Sequence, residues 1–271
     1  MNKNRTLATL LLVTLLGGLL AACGGGPTPT GAAITLEPPV VATEPADGGE
    51  EPEPVTLTIS KDIHLDPAVI GLDDAASIQI NGYLYDGLVM LLGGDALVAG
   101  LASSWSVSDD GLTYTFELRP DAFFSDGTQV SADVILDNFN RWFDPAHPLH
   151  GSNDLYQAWT ANFLGFRDEL DAAGNPVSLF DGIEKADNLT VLIHLNEPME
   201  NLLDILAQPQ FSIINTAVLE AEGDAYGTSA GSAVGSGQYV VSEWTDEMLV
   251  LAPNPGYWGT PPPSGLTFIL E

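Results

Sequence analysis

The sequence predicts a mixed α/β fold in which strands and helices follow one another without a regular repeat. Segments with the period-two alternation of strands, such as 112–118, are rich in β-branched and aromatic residues. Other segments have helical spacing, such as the one that begins at Ser131. Turn-forming pairs such as Asp110-Gly111 and Asp126-Gly127 lie between the predicted elements. An apolar fraction of 45% over 271 residues is typical of a globular protein.

The first 22 residues (1–22) have the layout of a secretory signal peptide. Two basic residues precede an apolar run from Leu7 to Leu20, which is too short to span about 30 Å of hydrocarbon as a permanent helix. Small residues then lead to Cys23, the single cysteine of the chain, so no disulfide forms within one chain. This junction resembles the lipobox of bacterial lipoproteins, which implies that Cys23 carries a diacylglycerol and becomes the first residue after cleavage.

Residues 23–54 are expected to form a lipid-anchored, disordered linker. The stretch after Cys23 is rich in proline and glycine and has no aromatic or basic residue, so it cannot bury enough apolar surface to fold. The net charge of the chain is -30, which repels nucleic acid and anionic lipid headgroups. We therefore predict no nucleic-acid partner, and membrane attachment only through lipid on Cys23.

The folded part is predicted to contain elements of both kinds, assigned from periodicity and flanking turn residues. In chain order they are a strand at 55–59, a helix running into a strand within 73–92, a hairpin of 105–107 and 112–118, a helix from 131 to 144, a strand at 187–195, a helix at 199–207, and strands at 238–241, 248–251 and 266–270. Trp105, Tyr114 and Phe116 are predicted core residues, because alternate aromatic residues of a hairpin bury large areas. Arg119 is expected to pair with a carboxylate such as Asp126.

Several motif blocks, taken together, resemble one known family. They are 83–89 (Tyr-Leu-Tyr-Asp-Gly-Leu-Val), 101–119 with its Asp110-Gly111 turn, 124–128 (Phe-Ser-Asp-Gly-Thr), 235–239 (Gly-Ser-Gly-Gln-Tyr) and 254–259 (Asn-Pro-Gly-Tyr-Trp-Gly). In this order they resemble the extracellular solute-binding family that serves peptide, dipeptide and nickel ABC importers. Gln238 stands where many members of that family have proline.

The resemblance implies a domain arrangement. A periplasmic-binding-protein-like lobe with a mixed sheet would combine 55–78 with 199–271, and 79–198 would form a smaller inserted lobe. Longer family members have a further lobe that closes over the ligand, which is absent here, so we expect either a truncated product or a separate chain that supplies it.

The resemblance also implies a function. The chain would be the substrate-binding component of an ABC importer, held by lipid outside the cytoplasmic membrane. It would capture a peptide or a related solute and deliver it to the permease subunits. Because ligands sit where strands end, two groups of residues are candidate ligand contacts. They are Lys61, Asp62 and His64 after the first strand, and Gly237, Gln238 and Tyr239 before a later one.

Two alternatives remain open at this stage. A loop with Asp144, His147 and His150 has three potential ligands for nickel or another metal ion. A hydrolase is the other alternative, but the sequence has no G-x-S-x-G elbow, no H-E-x-x-H motif and no cysteine nucleophile in the folded part. We therefore predict no enzyme activity, no catalytic residue and no cofactor.

Overall fold

A computed structural model describes residues 34–35, 54–93 and 96–271. The predicted signal peptide, Cys23 and most of the predicted linker lie outside these residues. The helices are α1 Ala75–Leu84, α2 Ala132–Phe143, α3 Gln157–Phe163, α4 Leu202–Leu206 and α5 Thr216–Glu222. The strands are β1 Ile34–Thr35, β2 Val55–Ile59, β3 Val89–Leu92, β4 Ala96–Ala99, β5 Ala102–Val107, β6 Thr113–Leu118, β7 Phe180–Asp187, β8 Thr190–Leu195, β9 Tyr239–Trp244, β10 Met248–Pro253 and β11 Leu266–Leu270. Within the described residues, no helix has the length and apolar character that crossing a membrane requires.

An antiparallel sheet with the order β1-β5-β6-β8-β7 contains the predicted hairpin. β5 pairs with β6 around the turn at Gly111, whose φ of 72° suits glycine. The alternation places Tyr114 and Phe116 in the core, and Trp105 is buried beside them, which confirms the prediction for all three. β8 joins the same sheet through β6.

One face of this sheet is covered by α2 and α3. α2 begins after Ser131 and ends before Pro145, as predicted, although the Ser131 side chain makes no capping hydrogen bond. The helices and β7 form a dense group of buried aromatic side chains with centroid separations of 4.4 to 5.9 Å between neighbours such as Trp159 and Phe163 or Phe163 and Phe180. Such pairs stabilise a core beyond the area that they bury.

A second sheet, which is mixed, has the strand order β2-β11-β10-β9. β2 runs parallel to β11, and the other neighbours are antiparallel. Its core consists of residues from β2 to α1 and from Ile214 to Leu270, whereas the first core runs from Leu88 to Ile213 with Ala68 added. The division of the chain into lobes at 78/79 and 198/199 stays a prediction, and the first of these positions lies inside α1.

The predicted helix at 199–207 is shorter in the structure, where Leu202–Leu206 is helical and the preceding residues form a turn. β7 was not predicted at all. Its burial pattern alternates only weakly, since six of its eight residues, FDGIEKAD, are charged or small. Its pairing with β8 determines its conformation. The tertiary context overrides a weak local preference here.

The expected carboxylate partner of Arg119 is Asp121, which lies 3.9 Å away, and not Asp126. The Arg119 Nε donates to the carbonyl of Gly100 at 2.7 Å, and the guanidinium lies 3.8 Å from the ring centroid of Trp258. Asp126 instead accepts a hydrogen bond from the Asn215 side chain at 2.9 Å. A planar guanidinium stacks well on an indole, which makes Trp258 a good partner for Arg119.

Several of the motif blocks meet where α1 ends. A Cβ on Gly235 would lie 1.8 Å from the carbonyl oxygen of Leu84, so only glycine allows these two backbones to approach so closely. Gly237 donates its backbone N–H to the same carbonyl at 2.9 Å. Close packing of the backbone therefore explains why glycine stands at positions 235 and 237.

Gly235→Ala is expected to lower the free energy of unfolding by about 2 to 3 kcal/mol, because the methyl group meets backbone that cannot move aside. Gly182→Ala is the matched control. A Cβ on Gly182 would have no atom within 4 Å, so the change should stay within about 0.5 kcal/mol. Denaturant unfolding measures both, and equal losses in the two variants would contradict the packing argument.

Candidate functional site

The loop that follows β2 is held in place by hydrogen bonds to α1, to the residue after it and to the turn at Gly227. The backbone N–H of His64 donates to the Ser77 hydroxyl at 2.8 Å, and the Tyr85 hydroxyl donates to the carbonyl of Leu65 at 2.7 Å. Leu65 also donates to the carbonyl of Gly227 at 3.0 Å. Gly227 has a φ of 69°, and a Cβ there would lie 2.9 Å from the Leu65 backbone. The loop therefore has one defined conformation.

A buried ion pair fixes the end of this loop to α2. The Arg141 Nη1 donates to Asp66 Oδ1 at 3.0 Å, and a second contact joins Nη2 to Oδ2. Asp66 is 4% exposed and Arg141 is 3% exposed. Burial by itself lowers the pKa of Arg141, but the adjacent Asp66 carboxylate outweighs it, so that pKa is raised and the guanidinium stays charged.

Two neighbouring cavities open at the end of β2, and we call them together the β2-end groove. The larger has a volume of about 500 Å³ and the smaller about 420 Å³. The larger is lined by His64, Asp66, Val69, Arg141, Pro148, Leu149, His150, Gly151, Leu155, Leu219, Glu220, Gly223, Asp224 and Tyr226. The smaller is lined by Lys61, Asp62, Ile63, Thr228, Ser229, Trp244, Thr245, Asp246 and Leu270. The two cavities share no lining residue, but both border the loop after β2 and the segment near Gly227.

The structure brings only half of the candidate ligand residues to this groove. Lys61, Asp62 and His64 are exposed and line it. Because β9 runs in the same direction as β2 and β11, its first residue lies at the opposite end of the sheet. Gly237, Gln238 and Tyr239 are therefore separate from the loop after β2.

The second candidate group lies in a packed turn. The Asn254 side chain donates to the carbonyl of Gly237 at 2.9 Å, and the backbone of Asn254 donates to the carbonyl of Gln238 at 2.8 Å. Gln238 also borders a cavity of about 380 Å³ beside Asp86. Tyr239 is buried and contacts Tyr83 edge to face.

The three potential metal ligands each have a different partner. Asp144 lies 3.3 Å from the Nε of Arg167. His147 lies 3.1 Å from Asp137, and His150 is buried with its Nδ1 2.6 Å from the carbonyl of Arg141. Within residues 54–93 and 96–271, no three histidine, cysteine, aspartate or glutamate side chains are grouped as a metal site would need.

Comparison with known proteins identifies the family. Residues 96–269 match the bacterial extracellular solute-binding proteins, family 5, in the middle region of that family. The chain belongs to this family. The motif blocks at 101–119 and 254–259 lie inside the matched region, which confirms the resemblance seen in the sequence.

Individual family relatives agree with this assignment. The chain is 34% identical over 185 residues to di/tripeptide-binding protein 4 of Pseudomonas aeruginosa, covering 64% of this chain and 32% of the relative. It is 31% identical over 201 residues to the periplasmic murein peptide-binding protein MppA of Escherichia coli, covering 72% and 34%. The chain thus spans about a third of the length of these curated relatives.

A solved structure has the same fold. The dipeptide-binding protein from Pseudoalteromonas sp. SM9913, in complex with Met-Leu, superposes with a TM-score of 0.66 at 20% identity. The alignment covers 81% of this chain and 43% of that one. It confirms the mixed α/β fold typical of periplasmic binding proteins.

Three of the family's motif blocks converge on Asp86, which is 4% exposed. The Trp258 indole donates to its Oδ2 at 2.8 Å, and Arg119 stacks on that indole. Burial raises the pKa of Asp86 from 3.8 to about 7, against the smaller opposing effects of the Trp258 hydrogen bond and of Arg119. Its carboxyl group therefore titrates near neutrality.

The raised pKa makes the stability depend on pH. Between the unfolded value of 3.8 and the folded value of about 7, the folded protein keeps a proton on Asp86 that the unfolded chain has lost. The added stability is fully present below about pH 4 and is lost as the pH rises through about 7. Between pH 5.5 and pH 8 the loss should amount to about 2 kcal/mol.

Asp86→Asn should remove this loss, because the amide oxygen still accepts from Trp258 but does not titrate. We expect the free energy of unfolding of the wild-type protein to fall by about 2 kcal/mol more than that of the variant between these pH values. Urea unfolding followed by tryptophan fluorescence measures both slopes. Identical slopes would show that Asp86 keeps an ordinary pKa.

Proposed function

We propose that this chain is part of the substrate-binding component of an ABC importer, which captures a peptide or a related solute outside the cytoplasmic membrane and delivers it to permease subunits. Family membership and the peptide-binding names of the relatives support the proposal. The relatives are binding proteins, so binding without chemical turnover is the expected activity.

The β2-end groove supports the proposal and indicates which residues would contact the ligand. It lies at the carboxyl end of β2, where ligands commonly bind in open α/β sheets. Apolar side chains such as Leu155 and Ile63 alternate there with the polar groups of Lys61 and His64. This mixture suits a peptide, whose backbone is polar and whose side chains are partly apolar.

The position of Glu271 agrees with a site at this end of the sheet. Its carbonyl accepts from the backbone N–H of Lys61 at 3.1 Å, and its own N–H donates to Ile59 at 3.0 Å. Any polypeptide that continued beyond Glu271 would therefore leave the fold beside the groove.

The test is retention of intact peptides. We would incubate the full chain with a mixed pool of dipeptides and tripeptides, remove unbound material and identify the retained molecules by mass spectrometry. We expect intact peptides and no hydrolysis products. If the protein retains no peptide, or if it releases cleaved products, the proposal is wrong.

Leu155→Trp should reduce the affinity for the retained peptide at least tenfold, which corresponds to about 1.4 kcal/mol, because the larger side chain fills the groove. Leu155 is 45% exposed, so the protein should remain folded. Leu72→Trp is the matched control, since Leu72 is 49% exposed and does not line the groove. Calorimetry with the retained peptide separates the two, and an equal loss in both variants would move the site elsewhere.

For the N-terminal segment we propose lipid attachment at Cys23, on the basis of its position after an apolar run and two alanines. Cys23→Ala should abolish incorporation of a labelled fatty acid during expression in a bacterium, because the chain has no other thiol. The processed variant should also move from the membrane fraction to the soluble fraction, since stable anchoring depends on the acyl chains. Thr28→Ala is the control and should remain labelled. Undiminished labelling of the Cys23 variant would refute the proposal.

A further inference from the structure

Cations are scarce in this protein, and most of those that the structure describes have a carboxylate partner. The chain has 7 lysines and arginines against 37 acidic residues. Four of the described cations have a carboxylate oxygen within 4.0 Å, in the pairs Arg119–Asp121, Arg141–Asp66, Arg167–Asp144 and Lys185–Asp133. Lys61 is the one lysine or arginine in the described part of the chain that has no such partner. In a molecule with this excess of acids, an unpaired ammonium group is a notable exception.

Lys61 also has the position of a ligand contact. It is the second residue after β2, and its backbone N–H donates a hydrogen bond to the carbonyl of Glu271. Its side chain is exposed and borders the smaller cavity of the β2-end groove. The fixed backbone keeps the start of the side chain beside this cavity.

The surroundings of Lys61 select for more than negative charge. Ser229 lines the same cavity, and the half-buried Trp244 adds an apolar side chain to it. Asp62 and Asp246 border it too, so a simple inorganic anion would meet repulsion as well as attraction. A solute that combines a carboxylate with a positively charged or hydrogen-bond-donating group satisfies both kinds of side chain.

We propose that Lys61 binds the carboxylate of the captured solute, and that the solute is a peptide with a free C-terminus oriented with this end in the smaller cavity. The inference rests on the proposed function and goes further by naming the ligand group and its orientation. A single exposed ion pair contributes little, but a pair in a groove covered by the bound solute is partly desolvated and gains strength.

Paired ligands test the proposal. From the peptides retained by the wild-type protein, one without acidic side chains is synthesised as the free acid and as the C-terminal amide. The two forms differ only in the terminal charge, and peptides without acidic side chains exclude a side-chain carboxylate as the group recognised. Affinities are measured by calorimetry for the wild-type protein, Lys61→Gln, Lys61→Arg and Lys185→Gln.

The wild-type protein should bind the free acid at least tenfold more tightly than the amide. Lys61→Gln should remove this preference by weakening the acid alone, and Lys61→Arg should largely keep it. Lys185→Gln removes the same charge at a residue that lines neither cavity of the groove and should leave the preference unchanged, which controls for the net charge of the protein. Thermal unfolding should be similar for all four proteins, because both lysines are at the surface or half-buried.

The outcomes separate the two proposals. If the wild-type protein binds peptides but Lys61→Gln weakens both forms equally or neither form, the assignment of Lys61 is overturned and the peptide-binding function stands. If the wild-type protein binds the amide as tightly as the acid, the carboxylate is not the recognised group, and the assignment is again overturned. If the wild-type protein retains no peptide at all, the proposed function fails, and the inference about Lys61 fails with it.

Discussion

The ion pair between Asp66 and Arg141 is the interaction on which the relative placement of the two cores depends. Asp66 ends the loop after β2, in the second core, and Arg141 belongs to α2, which covers the first sheet. Both groups are almost fully removed from water. Such a pair adds little net stability compared with apolar residues of the same size, but loss of one partner leaves an uncompensated buried charge and typically costs about 3 to 5 kcal/mol. An arrangement of the two cores that separated Asp66 from Arg141 would leave two buried charges without a partner.

The same guanidinium organises the groove wall. Its Nε donates to the carbonyl of Leu149 at 3.0 Å, and the carbonyl of Arg141 contacts the buried His150. A second link lies one turn earlier in α2, where the Asn138 side chain both donates to and accepts from the backbone of Ile214. That residue is where the chain passes from the first core to the second. Specific polar bonds thus connect the cores, and those of Arg141 lie at residues that border the groove.

Local patterns in the sequence were sufficient for the elements whose stability is local. The hairpin of β5 and β6 follows from alternation around Asp110-Gly111, and α2 follows from its spacing and from Pro145. β7 could not be found in this way, because its residues are ambiguous and its conformation depends on β8 and on the core. The error for Arg119 has a similar origin. Asp126 is its near neighbour in sequence, whereas its partner Trp258 is far along the chain, and no local pattern indicates such a contact.

The prediction of the site shows the same limit. The rule that ligands bind at strand ends selected Lys61, Asp62 and His64 after β2, and these line the groove. Applied to 237–239, the rule selected the residues at the beginning of β9, which runs in the same direction as β2. Only the strand order and directions in the sheet show that this turn lies at the end opposite to the loop after β2. The rule did not select the buried residues that line the larger cavity, Asp66, Arg141 and Tyr226. Their roles depend on contacts between residues far apart in sequence, and the two members of the ion pair are 75 positions apart.

The charge balance connects these structural features with recognition. With so few cations, the protein uses them in two different ways. Arg141 is committed to holding the cores together, and Arg119 is committed to the Trp258 and Asp86 cluster, where burial raises the pKa of the carboxyl group to about 7. Neither is free to select a ligand by charge. An anionic group on a solute that approaches this strongly acidic surface is repelled almost everywhere, since like charges dominate the field around the molecule. The end of β2 is an exception, because a cation there is exposed and has no partner among the described residues. A surface of this kind would favour solutes that carry their negative charge at one end only, which is a property of peptides with a free C-terminus and neutral or basic side chains.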